Sequence, residues 1–152
     1  MYIYTIRLAN QADTIAINQI SIENGLSDGS DMKLEPMDEN NIWIVLEENE
    51  IVIGSAYFGL EGHSDRVWNL YFLAISKEFQ GGGRGSALVI WAEEYLQKLG
   101  SKKAKLLIIE TSSVEGFELT RKFYNKLNYK EVARVPDYYG ENDDKVVFWK
   151  KL

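Results

Sequence analysis

The nine residues from Val67 to Ile75 restrict the fold of this chain more than any other stretch of its sequence. They read VWNLYFLAI and are apolar or aromatic at almost every position. A strand exposed on one face alternates apolar and polar residues, whereas a strand buried on both faces does not. A membrane-spanning helix needs about 20 apolar residues, so this run is too short to be one. The run therefore predicts a central strand that is covered on both faces.

The patterns on either side of this run follow the order β, α, loop, βββ, α, β, α, ββ. Apolar periodicity separates strands from helices, and clusters of Gly, Ser, Asp and Glu mark loops. The predicted strands are 2–7, 43–46, 51–60, 67–75, 105–109, 129–135 and 145–150; one helix begins at Gln11, two cover 86–99 and 117–127, and loops cover 25–41 and 136–144. Gly100 and Asn128 stand where left-handed helix terminators belong. This order predicts an α/β fold with a mixed sheet.

The size and composition of the chain exclude several classes of protein. A chain of 152 residues is predicted to form a single domain, residues 1–152. Cysteine is absent, which excludes disulfides, thiolate metal sites and a cysteine nucleophile, and no metal site is predicted. There is no apolar run of spanning length and no charged leader. We therefore expect no membrane span and a cytoplasmic protein.

The net charge of the chain bears on its partners. A formal charge of −6 argues against a nucleic-acid partner, because binding phosphates requires a basic face. The same charge is compatible with a cationic substrate at an acidic mouth, or it only keeps the protein soluble. Edge strands near the C-terminus are compatible with a homodimer.

A glycine-rich segment, Gln80-Gly81-Gly82-Gly83-Arg84-Gly85, lies between the central strand and an amphipathic helix. Glycine allows tight turns and lets a ligand approach the main chain, because no Cβ stands in the way. The start of the helix offers N–H groups and a positive dipole end to phosphate, and Arg84 adds a positive charge. A turn without a ligand is the alternative, but so many glycines are costly for a turn alone. The segment lacks the Lys-Ser or Lys-Thr of a nucleoside-triphosphate loop and the position of a dinucleotide fingerprint.

The pattern Gln80-x-x-Gly83-x-Gly85 resembles the Gln/Arg-x-x-Gly-x-Gly/Ala signature of the GNAT superfamily of N-acetyltransferases. The similarity continues through Glu110-Thr111-Ser112 and through Phe123-Tyr124-Asn125-Lys126-Leu127, which resembles the Phe-Tyr-x-x-Leu helix end of that family. It ends in residues 136–139 and 143–146. The resemblance implies a single-domain, mostly antiparallel sheet flanked by helices, whose central strand splays from the strand at 105–109.

The resemblance also implies a site for acetyl-CoA, the cosubstrate of the family. Backbone amides of the loop and helix start would contact the pyrophosphate, with the side chains of Gln80 and Arg84 beside it. The pantetheine arm would pair with the main chain of the central strand, as an added strand does. The residues of this implied site are Leu73, Ala74, Ile75, Gln80, Gly81, Gly82, Gly83, Arg84, Gly85 and Ser86.

Two residues carry the chemistry that the resemblance implies. Tyr124 matches the family tyrosine that protonates the departing thiolate, and an unperturbed pKa of about 10 keeps a phenol protonated at neutral pH. The alternative is that Tyr124 is a core aromatic beside Phe123 and Leu127. Asn69 stands where many family members carry a carboxylate that acts as general base. An amide cannot accept the proton and can only orient a water or the substrate.

The sequence leaves the general base open. Glu110, Glu23, Asp137 and Asp143 are candidates, but each is better explained as a surface charge. His63 lies in a polar stretch and is interpreted as a solvated loop residue.

Aromatic residues divide into two groups. Tyr138 and Tyr139 follow Pro136 in a predicted loop and are candidates for the wall of a site that binds a cationic amine. The others are interpreted as core, since strands favour them. This second group is Trp43, Tyr57, Phe58, Trp68, Tyr71 and Phe72.

The leading hypothesis is an N-acetyltransferase that moves an acetyl group from acetyl-CoA to the amine of a small molecule or peptide. The amine would attack directly in a ternary complex, because the chain has no cysteine to form an acyl-enzyme. A non-catalytic module that binds acyl-CoA is the alternative, which Asn69 keeps open. A third hypothesis is a protein that binds the phosphates of another nucleotide.

Overall fold

The computed structural model of the chain describes residues 3–28 and 37–152. Its elements are β1 Tyr4–Leu8, α1 Thr14–Glu23, β2 Asn41–Glu48, β3 Ile51–Leu60, β4 Val67–Ile75, α2 Arg84–Leu99, β5 Leu106–Ser112, α3 Glu118–Lys126, β6 Lys130–Gly140 and β7 Asp143–Lys151. Single 3-10 turns at Gln11–Asp13, Lys77–Phe79 and Glu115–Phe117 precede the three helices. The predicted order of elements is confirmed. Tyr2 of the first predicted strand, and residues 29–36 of the predicted loop 25–41, lie outside the described residues.

Hydrogen bonds arrange the strands of the described residues in the order β1-β2-β3-β4-β5-β7-β6. The pair β4–β5 is parallel, whereas β1–β2, β2–β3, β5–β7 and β6–β7 are antiparallel. The prediction of a mixed, mostly antiparallel sheet flanked by helices is therefore confirmed. The chain forms two compact units, Met1–Gly59 with Tyr71–Tyr95 and Leu60–Leu70 with Leu96–Leu152, so that β4 and α2 each contribute to both.

The first unit is built around the β2–β3 hairpin. Asn49 and Glu50 join the two strands with left-handed φ angles of 51° and 64°. Two left-handed residues in a two-residue turn give the twist that suits a hairpin. Helix α1 contributes the fully buried Ile17, which packs with Trp43 of β2.

An ion pair fixes the beginning of α1. Arg7 of β1 donates to both carboxylate oxygens of Asp13, at 2.8 and 2.9 Å, and also to Glu47 of β2. The hydrogen bonds from Arg7 hold the pKa of the buried Asp13 below its ordinary value. Asn10 caps the 3-10 turn, because its side chain accepts from Ala12 N at 2.9 Å.

The second unit packs α3 and the paired strands β5 and β7 around fully buried side chains such as Leu107 and Val146. The parallel pairing between β4 and β5 covers Val67–Asn69 and Leu106–Ile108. It stops after three residues of each strand, as expected for strands that splay. Asn128 terminates α3 with a φ of 70°, which confirms the predicted left-handed terminator.

Strand β6 differs from the prediction. Residues 136–140 were expected in a loop, but the strand continues through Pro136 to Gly140, so Tyr138 and Tyr139 are strand residues. Proline is tolerated at a sheet edge because no neighbouring strand needs its N–H. β6 is such an edge, exposed along its whole length, and its pairing with β7 shifts register between Val135 and Gly140.

Candidate active site

The glycine loop after β4 takes a conformation that only glycine adopts easily. Gly81 and Gly83 have φ angles of 84° and 81°, in the left-handed region where a Cβ is strained. An added Cβ would meet no atom within 4 Å at either position. Backbone conformation, and not crowding within the chain, therefore requires glycine at these two positions.

Gly82 differs from these two glycines because it lies against a side chain. A Cβ on Gly82 would lie 2.5 Å from Nη1 of Arg84, which is closer than non-bonded atoms approach. The guanidinium of Arg84 therefore passes directly against the loop, and the middle glycine makes room for it.

Arg84 is buried and faces Glu48 of β2. Its Nε and Nη2 donate to Glu48 Oε2 at 3.1 and 3.0 Å, Nη2 reaches Oε1 at 3.2 Å, and Nη1 donates to Phe79 O at 3.0 Å. Each of the two charged side chains is only 7% exposed. The sequence led us to expect this charge beside a phosphate. The structure pairs this charge with the carboxylate of Glu48, which ends its strand within reach of the loop.

The side chain of Gln80 also holds the loop in place. Its Nε2 donates to Ile75 O at 3.0 Å and to Asn24 Oδ1 at 2.9 Å. Asn24, just after α1, donates in turn to Ile75 O at 3.0 Å. Gln80 therefore ties the loop to the end of β4 and to the end of α1.

Helix α2 begins at Arg84, two residues before the predicted start. Ala87 N donates to Gly83 O at 3.0 Å, which closes the first turn. The N–H groups of Gly85 and Ser86 precede this bond, and donors of a first turn have no acceptor inside the helix. With the positive end of the helix dipole, they form a backbone site suited to an anion.

The end of β4 presents main-chain groups at one edge. Ser76 N donates to Ile53 O of β3 at 2.8 Å. In a trans peptide the preceding carbonyl points the opposite way, so Ile75 O lies at the edge that does not pair with β3. Leu73 is two residues away and directs its N–H and C=O to the same edge. Ala74 and Ile75 are buried, and Leu73 is partly exposed.

Tyr124 lies on α3 in an aromatic cluster. Its ring centroid is 5.1 Å from Phe123, 6.1 Å from Tyr129 and 5.9 Å from Phe148. The residue is 6% exposed, and burial raises the pKa of its phenol above the ordinary value. The proton is therefore held firmly at neutral pH, whether the residue acts in chemistry or only in packing.

Asn69 is 1% exposed, and its Nδ2 donates to Glu61 Oε1 at 2.7 Å. Glu61 follows β3 directly and is held in place through its own N–H, which donates to Val67 O at 2.8 Å. The amide on β4 therefore carries a carboxylate as its hydrogen-bond partner. Sequence analysis did not single out Glu61.

The carboxylates proposed from the sequence as bases each have a local structural partner. Glu23 accepts from Ser76 Oγ at 3.0 Å, Asp137 from Asn142 N at 2.8 Å, and Asp143 from Ser112 Oγ. Glu110 pairs with Lys145 Nζ at 3.3 Å. His63 is exposed between β3 and β4, as predicted.

Tyr138 and Tyr139 on β6 were candidates for binding a cationic amine, but Tyr138 already contacts a positively charged side chain of the protein. Lys145 Nζ lies 3.7 Å from the ring centroid of Tyr138, and the same ammonium pairs with Glu110. Burial lowers the pKa of Lys145, but the contacts with Tyr138 and Glu110 outweigh it, so the pKa is raised. The charge therefore persists at neutral pH, and a cationic substrate would compete with it there.

One residue interpreted as core is exposed instead. Tyr71 of β4 is 48% exposed and stacks on Tyr57 of β3, with centroids 5.4 Å apart and an interplanar angle of 28°. Tyr57 stacks in turn on Trp43 of β2 at 4.7 Å and 14°. We call these three rings, Trp43, Tyr57 and Tyr71, the aromatic ladder. Phe58 and Trp68 are buried as predicted.

Sequence reasoning missed Glu48, Asn24 and Glu61, whose contacts join positions 36, 56 and 8 residues apart. Polar residues at strand and helix ends are common, and no spacing rule links such distant pairs. The one sequence feature related to these contacts was Gly82, because a third adjacent glycine is more than the turn requires.

Metal and membrane features were also assessed over residues 3–28 and 37–152. Within these ranges no three His, Asp or Glu side chains are grouped so as to hold a metal ion. No helix there is both long and apolar enough to cross a membrane.

Comparison with known proteins gives consistent results. Residues 38–131, more than half of the chain, match the family model described as an acetyltransferase (GNAT) domain. An uncharacterized N-acetyltransferase of Methanocaldococcus jannaschii is 30% identical over 100 residues, which cover 66% of this chain and 57% of that protein. The chain spans less than two thirds of the length of the curated relatives that it matches.

Two solved structures show the same fold. A Desulfovibrio desulfuricans protein assigned to the GNAT family has a TM-score of 0.87 at 19% identity, covering 98% of this chain and 99% of that chain. The protein yncA of Salmonella typhimurium, with its cofactor acetyl-CoA, has a TM-score of 0.76 at 20% identity, covering 99% and 94%.

Proposed function

We infer that this chain, which belongs to the GNAT acetyltransferase family, transfers an acetyl group from acetyl-CoA to an amine. The observation that carries the proposal is the glycine loop between β4 and α2. Its two left-handed glycines place the first-turn N–H groups of α2 behind an open backbone surface, as phosphate binding requires.

Backbone donors supply the binding of the CoA pyrophosphate in this proposal. Arg84 is buried, and its charge is paired with that of Glu48. We therefore propose that the side chain of Arg84 holds the shape of the loop. Gln80 has the same role, because its Nε2 is engaged with Ile75 O and Asn24. The amides of Gly81, Gly83, Gly85 and Ser86 are left to face the phosphates.

The arm of CoA would run from the loop back along β4. The edge groups of Leu73 point away from β3, so an extended pantetheine can pair with them as a further strand would. Side-chain amides already donate to Ile75 O, so we assign the first main-chain pairing with pantetheine to Leu73. The acetyl end then lies toward the beginning of β4.

The reaction we propose is direct aminolysis of the thioester. The amine lone pair attacks the acetyl carbonyl, the C–S bond breaks, and Tyr124 gives its proton to the departing thiolate. The nitrogen must also lose a proton. Asn69 cannot accept it, and we assign this role to Glu61, the carboxylate hydrogen-bonded to Asn69. Holding both reactants together supplies much of the remaining acceleration.

A module that binds acetyl-CoA without turnover is the second candidate. The observation that favours it is the amide of Asn69 at the position where many family members carry a carboxylate. Release of CoA in the presence of an amine separates the two candidates.

The first experiment is calorimetric titration of the protein with acetyl-CoA, CoA and ATP. We expect acetyl-CoA and CoA to bind and ATP to bind far more weakly. Gly83→Asp should weaken acetyl-CoA binding by roughly tenfold or more, because it strains a left-handed backbone and places a carboxylate beside phosphate.

Gly116→Asp is the matched control for this titration. It adds the same charge at an exposed glycine where a Cβ meets nothing and the φ angle is not left-handed. A folded wild-type protein that binds neither acetyl-CoA nor CoA would overturn the proposal.

A further inference from the structure

The aromatic ladder lies beside the segment of β4 proposed to hold the CoA arm. Tyr71 precedes Leu73 by two residues, so the two residues lie about 7 Å apart along the strand. Because the acetyl end would lie toward the beginning of β4, Tyr71 stands where an acceptor has to approach. Nearly half of its surface is exposed, in a strand that is otherwise mainly apolar.

The ring of Tyr71 is held in a fixed orientation. It stacks on Tyr57, which stacks on the buried Trp43. Gly59 of β3 lies against the ring edge, since a Cβ there would be 3.1 Å from Tyr71 Cε2. A ring supported in this way presents its exposed surface to a ligand with little loss of conformational entropy.

Two oxygen atoms lie near the same position on Gly59 as the edge of this ring. The same Gly59 Cβ position is 3.3 Å from Asn40 O and from Asn41 Oδ1. Asn41 Oδ1 accepts from the hydroxyl of Tyr57 at 2.6 Å, and Asn41 Nδ2 donates to Asp38 Oδ1 at 3.0 Å. The exposed carboxylate of Asp38 is thus linked to the ladder through one amide side chain.

An aromatic face with carbonyl and carboxylate oxygens near it attracts a cation more than a neutral group. A neutral aromatic amine would also stack on Tyr71, but without a full positive charge it would gain less from the ring face and from these oxygens. The formal charge of −6 attracts a cationic acceptor as well.

We propose that Tyr71 and the ladder beneath it bind a second positive charge of the acceptor. The acceptor class is therefore a small amine with at least two ammonium groups, one of which loses its proton and is acetylated while the other stays charged over Tyr71. This inference rests on the proposed acetyl transfer and names the substrate class of that same site.

The test compares 1,4-diaminobutane with n-butylamine, which has the same carbon chain and lacks the second ammonium. Binding of each amine to the protein saturated with CoA is measured by calorimetry, and CoA release is measured with acetyl-CoA. We expect the wild type to prefer the diamine. Tyr71→Leu should reduce that preference by about 2- to 30-fold, the range expected from losing one cation–π contact.

Two further variants separate the ring from the fold. Tyr71→Phe keeps an aromatic face and should keep most of the preference. Gly59→Ala leaves Tyr71 in the chain but crowds the edge of its ring, because the added Cβ would lie 3.1 Å from Cε2, and should lower the preference less than Tyr71→Leu does. Acetyl-CoA affinity should be unchanged in all three variants.

Equal affinity of the wild type for the two amines would overturn the inference, and so would a preference that Tyr71→Leu leaves intact. A protein that binds acetyl-CoA but releases no CoA with any amine contradicts the proposed transfer instead. The binding comparison does not depend on turnover, so it still decides the role of Tyr71 in that case.

Discussion

Tyr124 shows how the surroundings of one residue set its chemistry. Burial among Phe123, Tyr129 and Phe148 raises the pKa of the phenol. A raised pKa extends the protonated form to higher pH, so a general acid of this kind remains active across the neutral and mildly alkaline range.

We expect Tyr124→Phe to lower kcat by roughly 10²- to 10⁴-fold with little change in acetyl-CoA affinity, because general acid catalysis contributes about that much. The pH profile of the wild type should show no loss of rate from Tyr124 below about pH 10, given the direction of its shift. Steady-state kinetics across pH provide the measurement.

Tyr129→Phe is the matched control, since it removes a hydroxyl from a neighbouring buried tyrosine that has no proposed catalytic role. If both variants lose the same activity, Tyr124 serves packing alone.

The pair of Asn69 and Glu61 gives a second prediction at this scale. Glu61→Gln should lower kcat/KM at pH 7 by roughly 10²-fold or more, if Glu61 accepts the proton of the amine. The loss should shrink as the pH approaches the pKa of the substrate amine, because the amine then arrives deprotonated.

Exchanging the two groups sharpens this test. The double variant Asn69→Asp with Glu61→Gln moves the carboxylate to β4 and keeps an amide as its partner, so it should recover part of the lost activity. Glu115→Gln, at an exposed glutamate, is the control. A loss that is independent of pH would argue that Glu61 is only structural.

At the scale of elements, the glycine loop is held by a strand that lies far from it in the sequence. Glu48 at the end of β2 holds Arg84, and Arg84 holds the carbonyl of Phe79 and passes against Gly82. The loop is thus fixed from inside the fold by a buried ion pair. In the proposed site, this arrangement preorganises the amides that would contact phosphate, and preorganisation favours binding.

Breaking this pair should affect both stability and binding. Glu48→Ala leaves a buried guanidinium without its carboxylate and should cost about 3–5 kcal/mol of unfolding free energy. The double variant Glu48→Leu with Arg84→Leu removes both charges and should be closer to the wild type in stability. It should still bind acetyl-CoA more weakly, because the anchor on Phe79 O is lost.

Chemical denaturation and calorimetry with acetyl-CoA give the two measurements. A double variant that binds acetyl-CoA as tightly as the wild type would show that the pair stabilises the fold without shaping the loop.

At the scale of the whole molecule, the order of elements was predictable because apolar periodicity is a local property. Strands β3 and β4 begin and end where the pattern placed them. Gly100 has the left-handed φ of 87° expected of a helix terminator. Element ends were less accurate. Pro136 suggested a loop, but at an unpaired edge its missing N–H costs nothing.

The glycine loop and the helix start that follows it were also predictable, because Gly81 and Gly83 take left-handed φ angles that favour glycine. The roles of side chains were not. Arg84 is of a residue type that binds phosphate, yet its guanidinium is paired with Glu48, 36 positions earlier in the chain.

The sequence by itself determined which segments are strands and helices and where the glycine loop turns into a helix start, since these follow from neighbouring residues. Only the tertiary structure decided which polar side chains are paired with one another inside the fold. It paired Asn69 with Glu61, buried Arg84 and left Tyr71 exposed on its stack. The physical reason is that a side chain's partners are set by strands that pair across long separations, whereas its backbone conformation is set locally.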